Sequence, residues 1–573
     1  MRVIATAGHV DHGKSSLVLA LTGTDPDRFE EEKRRGLTID LGFAHTVLPS
    51  GAAISFIDVP GHVRFLRNML AGVGGVDACM FVVAATEGWK PQSEEHLRIL
   101  ELLGLRHGVI ALTKADLVDD EWLEIATLEV ADHVVGTFLE RAAIVPVAAP
   151  SGGGLDDLRT ALDQLVAITP RAEDRARPRL WIDRVFAAKG SGTVVTGTLT
   201  GGSLHRDDHV LVEPGGRSAR VRSIQTLGRT VESIDAGNRV ALNVSGVSHD
   251  EIKRGDAVVT ERRWRPTDRF DGSLDVLASL GHDVSRRGAY LAYIGSRELP
   301  VKVRVLGREA LSPGIVGSVR LFLPVGLPLL PGDRFVLRES GRDETIGGGE
   351  VLDIAPVVKA SLARPDRSVA RVIAERGWVD VSELELLTGV AVDPTVGHWV
   401  ATSELLASTQ ARLNAAIIDA GQLGLELAWL AEHERAVVDT LPEVTVEGGR
   451  ARAADVVDPF ADHPLAALIQ AGGLAPEVPP GLDSVAVREL VRRGILVERD
   501  QILFHRDAID AAARVAAQLL AADPNGFTVA EFRDRTGASR KFALPLVAEL
   551  DARGITRRRE DLRIAGPRLP AES

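Results

Sequence analysis

With 573 residues, 67 basic against 80 acidic side chains and a net charge of −13, the chain has room for roughly three to five domains. It is too acidic to coat nucleic acid wholesale, so any RNA or DNA contact must come from local basic patches. A single cysteine, Cys79, excludes an internal disulfide framework or a cysteine zinc site, and its place in the apolar run Ala78 to Ala85 predicts a small buried hydrophobe. No uncharged apolar run approaches the length of a membrane span, and the first residues enter a strand pattern without a charged, apolar leader. The expectation is a soluble cytoplasmic protein with no membrane attachment.

From residue 1 to about 170, short apolar runs (Val3 to Ala7, Ile54 to Ile57, Ala78 to Ala85, Val109 to Leu112, Ile144 to Val147) alternate with helical patterns. That predicts a doubly wound α/β domain, with ligands at the C-terminal ends of the strands. Directly after the first run stands Gly8-His9-Val10-Asp11-His12-Gly13-Lys14-Ser15, and Ser16 opens a helix. This is a phosphate loop in its proper strand–loop–helix context: backbone N–H groups face the phosphates, Lys14 adds positive charge and the Ser15 hydroxyl can ligate Mg²⁺. Thr38 is the natural second hydroxyl for the metal. It closes the charged stretch Glu30 to Arg35 and its sequel Gly36-Leu37, expected to be ordered by GTP and released by GDP. Asp58, at the end of its run, is placed to hold Mg²⁺, and the Gly61 N–H to sense the γ-phosphate. Thr113-Lys114-Ala115-Asp116 follows the run Val109 to Leu112. A carboxylate at Asp116 accepts both N1–H and N2–H of guanine, which adenine does not present, so GTP is expected over ATP. Ala148 and Ala149 would back the base.

The wording Gly8 to Lys14, Arg35-Gly36-Leu37-Thr38-Ile39 and Asp58-Val59-Pro60-Gly61-His62 resembles the translational GTPases. The resemblance implies that His62 positions the attacking water once the ribosome reorients it, that Val10 and Leu37 form an apolar gate beforehand, and that intrinsic hydrolysis is slow. Two positions depart from the family: Thr113 replaces its usual asparagine and Ala148 its serine, which puts the strength of base binding in question but leaves Asp116.

From about 171 to 261 short β-rich runs punctuated by Gly190, Gly192, Gly197, Gly201 and Gly202 predict a small closed barrel with those glycines at turns and bulges. A second β-rich stretch, from 262 to about 357, is similar to the third domain of elongation factors of the EF-Tu type through Gly332 to Glu339 and Thr345 to Gly349. Ile182-Asp183-Arg184 and Gly237-Asn238-Arg239-Val240-Ala241-Leu242-Asn243 resemble the selenocysteine-specific elongation factor (SelB) family, where the matching aspartate and arginines shape the aminoacyl pocket of the tRNA. Permanently charged arginines suit a selenolate better than a neutral serine hydroxyl. Taken without the resemblance, Asp183 and Arg184 read as a surface ion pair and Arg239 as solvated.

From 358 to 573 short amphipathic helices alternate with small β pieces. Several units repeat helix, glycine and strand, as in Leu490 to Val497 and Leu550 to Thr556, which predicts tandem winged helices, the last from about 508. Pro476, Pro479 and Pro480 mark a linker or loop. Between Glu531 and Glu572 ten basic residues meet seven acidic ones. Arg540 and Lys541 fall at the start of a second helix and Arg557 to Arg559 in a wing strand, where backbone-contacting cations gather for nucleic acid. The wording Phe532 to Lys541, including Arg535, Ser539, Arg540 and Lys541, and Gly554 to Arg559, including Arg557 and Arg558, resembles the C-terminal winged helix of the SelB family, which implies an mRNA insertion hairpin as ligand. The whole then implies a monomeric GTPase that binds GTP, GDP and Mg²⁺ and works with selenocysteinyl-tRNA, that hairpin and the ribosome. Two rivals stay open: a general aminoacyl-tRNA elongation factor, and a GTP-switched winged-helix regulator of DNA.

Overall fold

A computed structural model describes residues 2–27, 38–62, 65–188 and 192–570. The charged stretch from Glu30, Leu37 of the expected gate, and Gly190 lie outside them. The chain forms two compact units, Met1–Pro394 and Thr395–Ser573. Among the described residues no helix is long and apolar enough to cross a membrane.

The first domain comprises β1 (Arg2–Ala7), α1 (Lys14–Thr22), β2 (Gly42–Val47), β3 (Ala53–Asp58), α2 (Leu66–Val73), β4 (Ala78–Ala84), α3 (Pro91–Leu102), β5 (Gly108–Thr113), α4 (Asp120–His133), β6 (Ile144–Pro146) and α5 (Leu155–Ile168). Its sheet runs β2-β3-β1-β4-β5-β6, parallel throughout except for β2 against β3. Helices cover both faces, so β1, β3, β4 and β5 are buried almost end to end, which is why they read as continuous apolar runs rather than alternating ones. Cys79 on β4 is fully buried, and burial pushes its thiol up, away from reactivity. The strand β2 was not foreseen; its register sets Gly42 opposite Asp58 and Phe43 opposite Ile57.

Two closed barrels follow. The first is a ring of six strands, His209–Glu213, Arg217–Thr226, Asn238–Ser245, Gly192–Thr200, Arg179–Trp181 and Ala257–Thr260, with Arg184–Ala188 paired onto Gly192–Thr200 as well. Gly197 departs from the expected turn: it sits inside a strand, where a Cβ would lie 2.3 Å from the Trp181 carbonyl oxygen. Close strand packing, not chain reversal, requires glycine there. The second ring comprises Thr267–Val276, Val316–Leu327, Arg297–Val305, Tyr290–Ile294, Arg334–Glu339 and Glu344–Asp353. Arg179 joins the rings with a bidentate grip on Asp333, at 2.6 Å for each nitrogen, and the Ser296 hydroxyl donates to the Ile182 carbonyl at 2.7 Å. Arg338 reaches back to Glu95 on α3 at 3.1 Å.

Helices Val369–Arg376 and Val381–Thr388 end the first unit. In the second, helix pairs and small sheets recur: Ser403–Asp419 and Glu432–Val438 with the hairpin Val444–Glu447 and Arg450–Ala453; Pro464–Ala471 and Ser484–Arg492 with Leu496–Arg499 and Ile502–His505; then Arg506–Ala522, Val529–Thr536 and Arg540–Ala552 with Thr556–Arg559 and Leu562–Ala565. Gly494 and Gly554, at φ 68° and 71°, stand where a helix turns into its wing, a left-handed position that glycine fills without strain. The three prolines from Pro476 lie in the loop before Ser484–Arg492. An ionic network joins the middle of this unit: Arg450 pairs with Glu426 at 2.8 Å and with Glu489 at 3.2 Å, Arg493 with Asp458 at 2.5 Å and Glu489 at 2.8 Å, and Arg452 with Asp458 at 3.3 Å. Hydrogen bonds from Arg492 and Arg493 hold the Glu489 carboxyl down at about 2.

Candidate functional site

The phosphate loop joins β1 to α1. Gly8 has φ 128° and a Cβ there would lie 2.1 Å from the Val82 carbonyl oxygen; Gly13 has φ 85° and caps α1. At Gly61 a Cβ would fall 2.5 Å from Lys14 Nζ and 2.7 Å from Val10 N, so the segment after β3 closes onto the loop only as glycine. Lys14 is buried and donates to the carbonyls of Gly8 at 3.0 Å and His9 at 2.6 Å. Burial pushes its ammonium down to about 8 against the opposing pull of Asp58, Asp11 and Asp27.

The oxygens expected at the metal converge. Ser15 Oγ donates to Asp58 Oδ2 at 2.6 Å and lies 2.8 Å from Thr38 Oγ1. Two partners went unforeseen. Thr6 Oγ1 donates to Asp58 Oδ1 at 2.7 Å and accepts from Val59 N at 3.0 Å, and Thr38 Oγ1 donates to Asp27 Oδ1 at 3.0 Å. Thr6 interrupts the apolar run of β1, the one signal in the sequence that marks it. An all-oxygen set of two hydroxyls and a carboxylate suits a hard cation such as Mg²⁺.

His12 and His96 brace the loop. His12 is fully buried, with Nδ1 3.3 Å from the Val82 carbonyl, and burial takes it down to about 4. His96 accepts from Gly8 N at 3.1 Å, and burial takes it down to about 3, so both rings are neutral at physiological pH. Gln92 Oε1 accepts from Val10 N at 3.2 Å. His9 stacks obliquely on His12 at 5.0 Å. His62 is half-buried, its ring 6.0 Å from that of Phe65. On the base side, the Thr113 hydroxyl donates to the His12 carbonyl at 2.6 Å, so the threonine tethers the base loop to the phosphate loop despite its departure from the family. Lys114, at φ 56°, pairs with Glu87 at 2.8 Å. Asp116 is exposed just beyond β5, and Ala148 and Ala149 follow β6.

In the first barrel Asp183 is buried and pairs with Arg239, not with its neighbour Arg184. Arg239 grips it through both nitrogens, at 2.6 and 3.0 Å, and Thr196 Oγ1 donates to it at 2.7 Å. This corrects the picture of a surface Asp183–Arg184 pair beside a solvated Arg239: that arginine's side chain is only 11% exposed. Arg184 lies opposite Thr196 and Arg239 opposite Thr198 on strand Gly192–Thr200, which brings the two guanidinium groups onto one face. Arg184 donates to the Leu41 carbonyl.

In the last winged helix, Arg535, Arg540, Lys541, Arg557 and Arg558 are exposed, as is Ser539, the N-cap of Arg540–Ala552. The basic count overstates this surface. Arg563 is buried on Asp551 at 2.6 Å, Arg533 pairs with Asp534 at 2.6 Å and Arg553 with Glu549 at 2.9 Å.

A nucleotide-binding α/β domain followed by two closed barrels is the build of a translational GTPase. Residues 1–170 match the family Elongation factor Tu GTP binding domain, and residues 518–565 match Elongation factor SelB, winged helix. The chain is 32% identical to the selenocysteine-specific elongation factor of Desulfomicrobium baculatum, over 98% of this chain and 99% of that protein, and 32% identical to the one from Escherichia coli, over 97% of each. Elongation factor Tu 2 of Streptomyces avermitilis, also 32% identical, covers only 61% of the chain. A crystal structure of a bacterial selenocysteine-specific elongation factor, EF-Sec, superposes with a TM-score of 0.69 at 26% identity, over 98% of this chain and 99% of that one. The chain belongs to the selenocysteine-specific elongation factors. That full-length match sets aside the general factor and the DNA regulator.

Proposed function

We propose that the GTP form of this chain carries selenocysteinyl-tRNA to the ribosome at UGA codons, while its last winged helix holds an insertion hairpin of the mRNA; both contacts would be made in the cytoplasm. The observation that carries this reading is the arginine pair Arg184 and Arg239 on one face of the first barrel, with Arg239 fixed by Asp183. A selenol is ionised at neutral pH where a hydroxyl is not, so fixed guanidinium groups favour the selenocysteinyl over the seryl ester. Asp183 and Thr196 hold Arg239 in orientation, which limits the ordering cost of binding.

Toward the nucleotide, the loop Gly8 to Ser16 receives the phosphates, Lys14 adds its charge, Asp116 reads guanine and Ala148 and Ala149 line the base. Ser15, Thr38 and Asp58 would hold Mg²⁺, which when bound neutralises phosphate charge. Thr6 keeps Asp58 turned toward Ser15. His62 would orient the attacking water once the ribosome brings it inward. Arg535, Ser539, Arg540, Lys541, Arg557 and Arg558 would grip hairpin phosphates and unstacked bases. Holding two RNAs at once raises the local concentration of cargo at one codon.

The test is the affinity for one tRNA charged with selenocysteine or serine, with a non-hydrolysable GTP analogue and with GDP. Tight binding only of the selenocysteinyl form with the analogue is expected. Equal binding of both charged forms would overturn the reading.

A further inference from the structure

The segment between the metal ligand Thr38 and the strand β2 reaches across to the first barrel. Asp40 Oδ1 accepts from Arg254 Nη1 at 3.0 Å, and Oδ2 lies 4.0 Å from Arg184 Nε. Arg254 also donates to the Asn68 side chain at 3.2 Å and to the Asn68 carbonyl at 3.3 Å, and Asn68 donates to the Ile39 carbonyl at 2.7 Å. Three residues beyond Asp40, the centroid of the Phe43 ring lies 3.4 Å from the guanidinium carbon of Arg239 and 4.3 Å from that of Arg184. The Phe43 ring is thus in cation–π contact with both arginines.

The segment is held firmly between its ends. Leu41 is buried, and at Gly72 a Cβ would meet it at 2.6 Å. At Gly42 a Cβ would lie 2.6 Å from Pro26 and 3.1 Å from Asp58 Cβ. Gly42 also sits opposite Asp58 in the β2–β3 pairing. Phe43 is therefore fixed to the nucleotide site from two sides, through Thr38 four peptide links short of Gly42 and through Asp58 across the sheet. A shift of either metal ligand moves Phe43 and Asp40 as one piece, because close-packed segments transmit displacement rather than absorb it.

We propose that Asp40 and Phe43 form the transmission between nucleotide and aminoacyl pocket. They set Arg184 and Arg239 for a selenolate when GTP fixes Thr38, and release them when GDP does not. The aromatic ring shields one side of each guanidinium from water, which strengthens its attraction for an anion in the opposite direction. Asp40 anchors the segment to the barrel through Arg254, so that the ring arrives in register. The proposal rests on reading Arg184 and Arg239 as the aminoacyl pocket, and it adds residues outside that pocket which make its strength depend on the nucleotide.

The experiment uses the full chain and selenocysteinyl-tRNA, and reads the ratio of affinities with a non-hydrolysable GTP analogue and with GDP, with analogue affinity measured in parallel. Phe43→Leu keeps apolar packing against the sheet and removes the aromatic face. It is expected to lower the ratio about tenfold, the scale of a partly desolvated cation–π contact, and Phe43→Tyr to restore it. Asp40→Asn and Arg254→Met are expected to lower the same ratio. An unaltered ratio in Phe43→Leu and in Asp40→Asn would overturn the transmission. If the wild-type chain itself fails to prefer the selenocysteinyl over the seryl form, the pocket assignment falls before any variant is made, so the two failures are told apart.

Discussion

Lys14 supplies a titration that reports whether the phosphate loop is filled. Burial holds its ammonium at about 8 rather than the ordinary 10.5. Phosphate oxygens at the loop favour the charged form and return the group toward its ordinary value. Binding then takes up a proton wherever the free protein has lost one, so GTP affinity falls as pH rises through the free-state value. From those two values, apparent affinity drops about fourfold between pH 7 and pH 8.5, with about 0.75 proton taken up per GTP at the higher pH. The window lies above the last ionisation of a phosphate ester, at about pH 6, so the ligand's own phosphates contribute little to the slope. Calorimetric titration of the full chain in two buffers of different ionisation enthalpy reads the proton number directly. Lys14→Arg, whose guanidinium does not titrate, should show no uptake from this source. PH-independent affinity in the wild-type chain, or equal uptake in Lys14→Arg, would refute the coupling of the buried ammonium to the nucleotide.

His62→Ala should leave GTP binding intact and suppress ribosome-stimulated hydrolysis; full turnover in a ribosome assay would remove His62 from the reaction. Asp116→Asn should shift preference from GTP toward XTP, whose 2-oxo group replaces the exocyclic amine, and a competition assay in which GTP still wins by the wild-type margin would undo the base-reading role. Arg540→Ala and Arg558→Ala should each weaken hairpin binding and reduce the slope of log affinity against log salt by about one. Arg563→Ala, which breaks the buried pair with Asp551, should instead lower the thermal midpoint of the last winged helix, and unchanged affinity and slope in the first two variants would move the RNA surface elsewhere.

The α/β domain was legible because its inner strands are buried on both faces and so appear as uninterrupted apolar runs, with Asp58 and Asp116 falling at or just past strand ends. The strand β2 escaped notice because it is only partly buried and lies beside charged sequence that masks its pattern. Local motifs gave Ser15, Thr38 and Asp58, whereas Thr6 and Asp27 join them through contacts that no spacing rule describes. Asp183, Arg184 and Arg239 show the same limit. Asp183 and Arg184 are sequence neighbours and invite pairing, yet the carboxylate belongs to Arg239, 56 residues on, because the strand Gly192–Thr200 lies between them and sets both in register. In the tail, helix–glycine–strand repeats announced winged helices, but charge alone could not separate Arg563, sunk against Asp551, from Arg540 and Arg558 on the surface.

The ionic network in the middle of the tail bears on how a tether works. Its central members are shielded, with the Arg452 and Asp458 side chains 2% and 4% exposed, so salt that weakens exposed phosphate contacts leaves this joint closed. A flexible string lets its cargo roam through a volume that grows with its length, whereas a stiff spacer confines it to a narrow shell. The ion pairs among Glu426, Arg450, Arg452, Asp458, Glu489 and Arg493 tie their segments together, so in the proposed tether this joint acts as a spacer of the second kind rather than as slack chain.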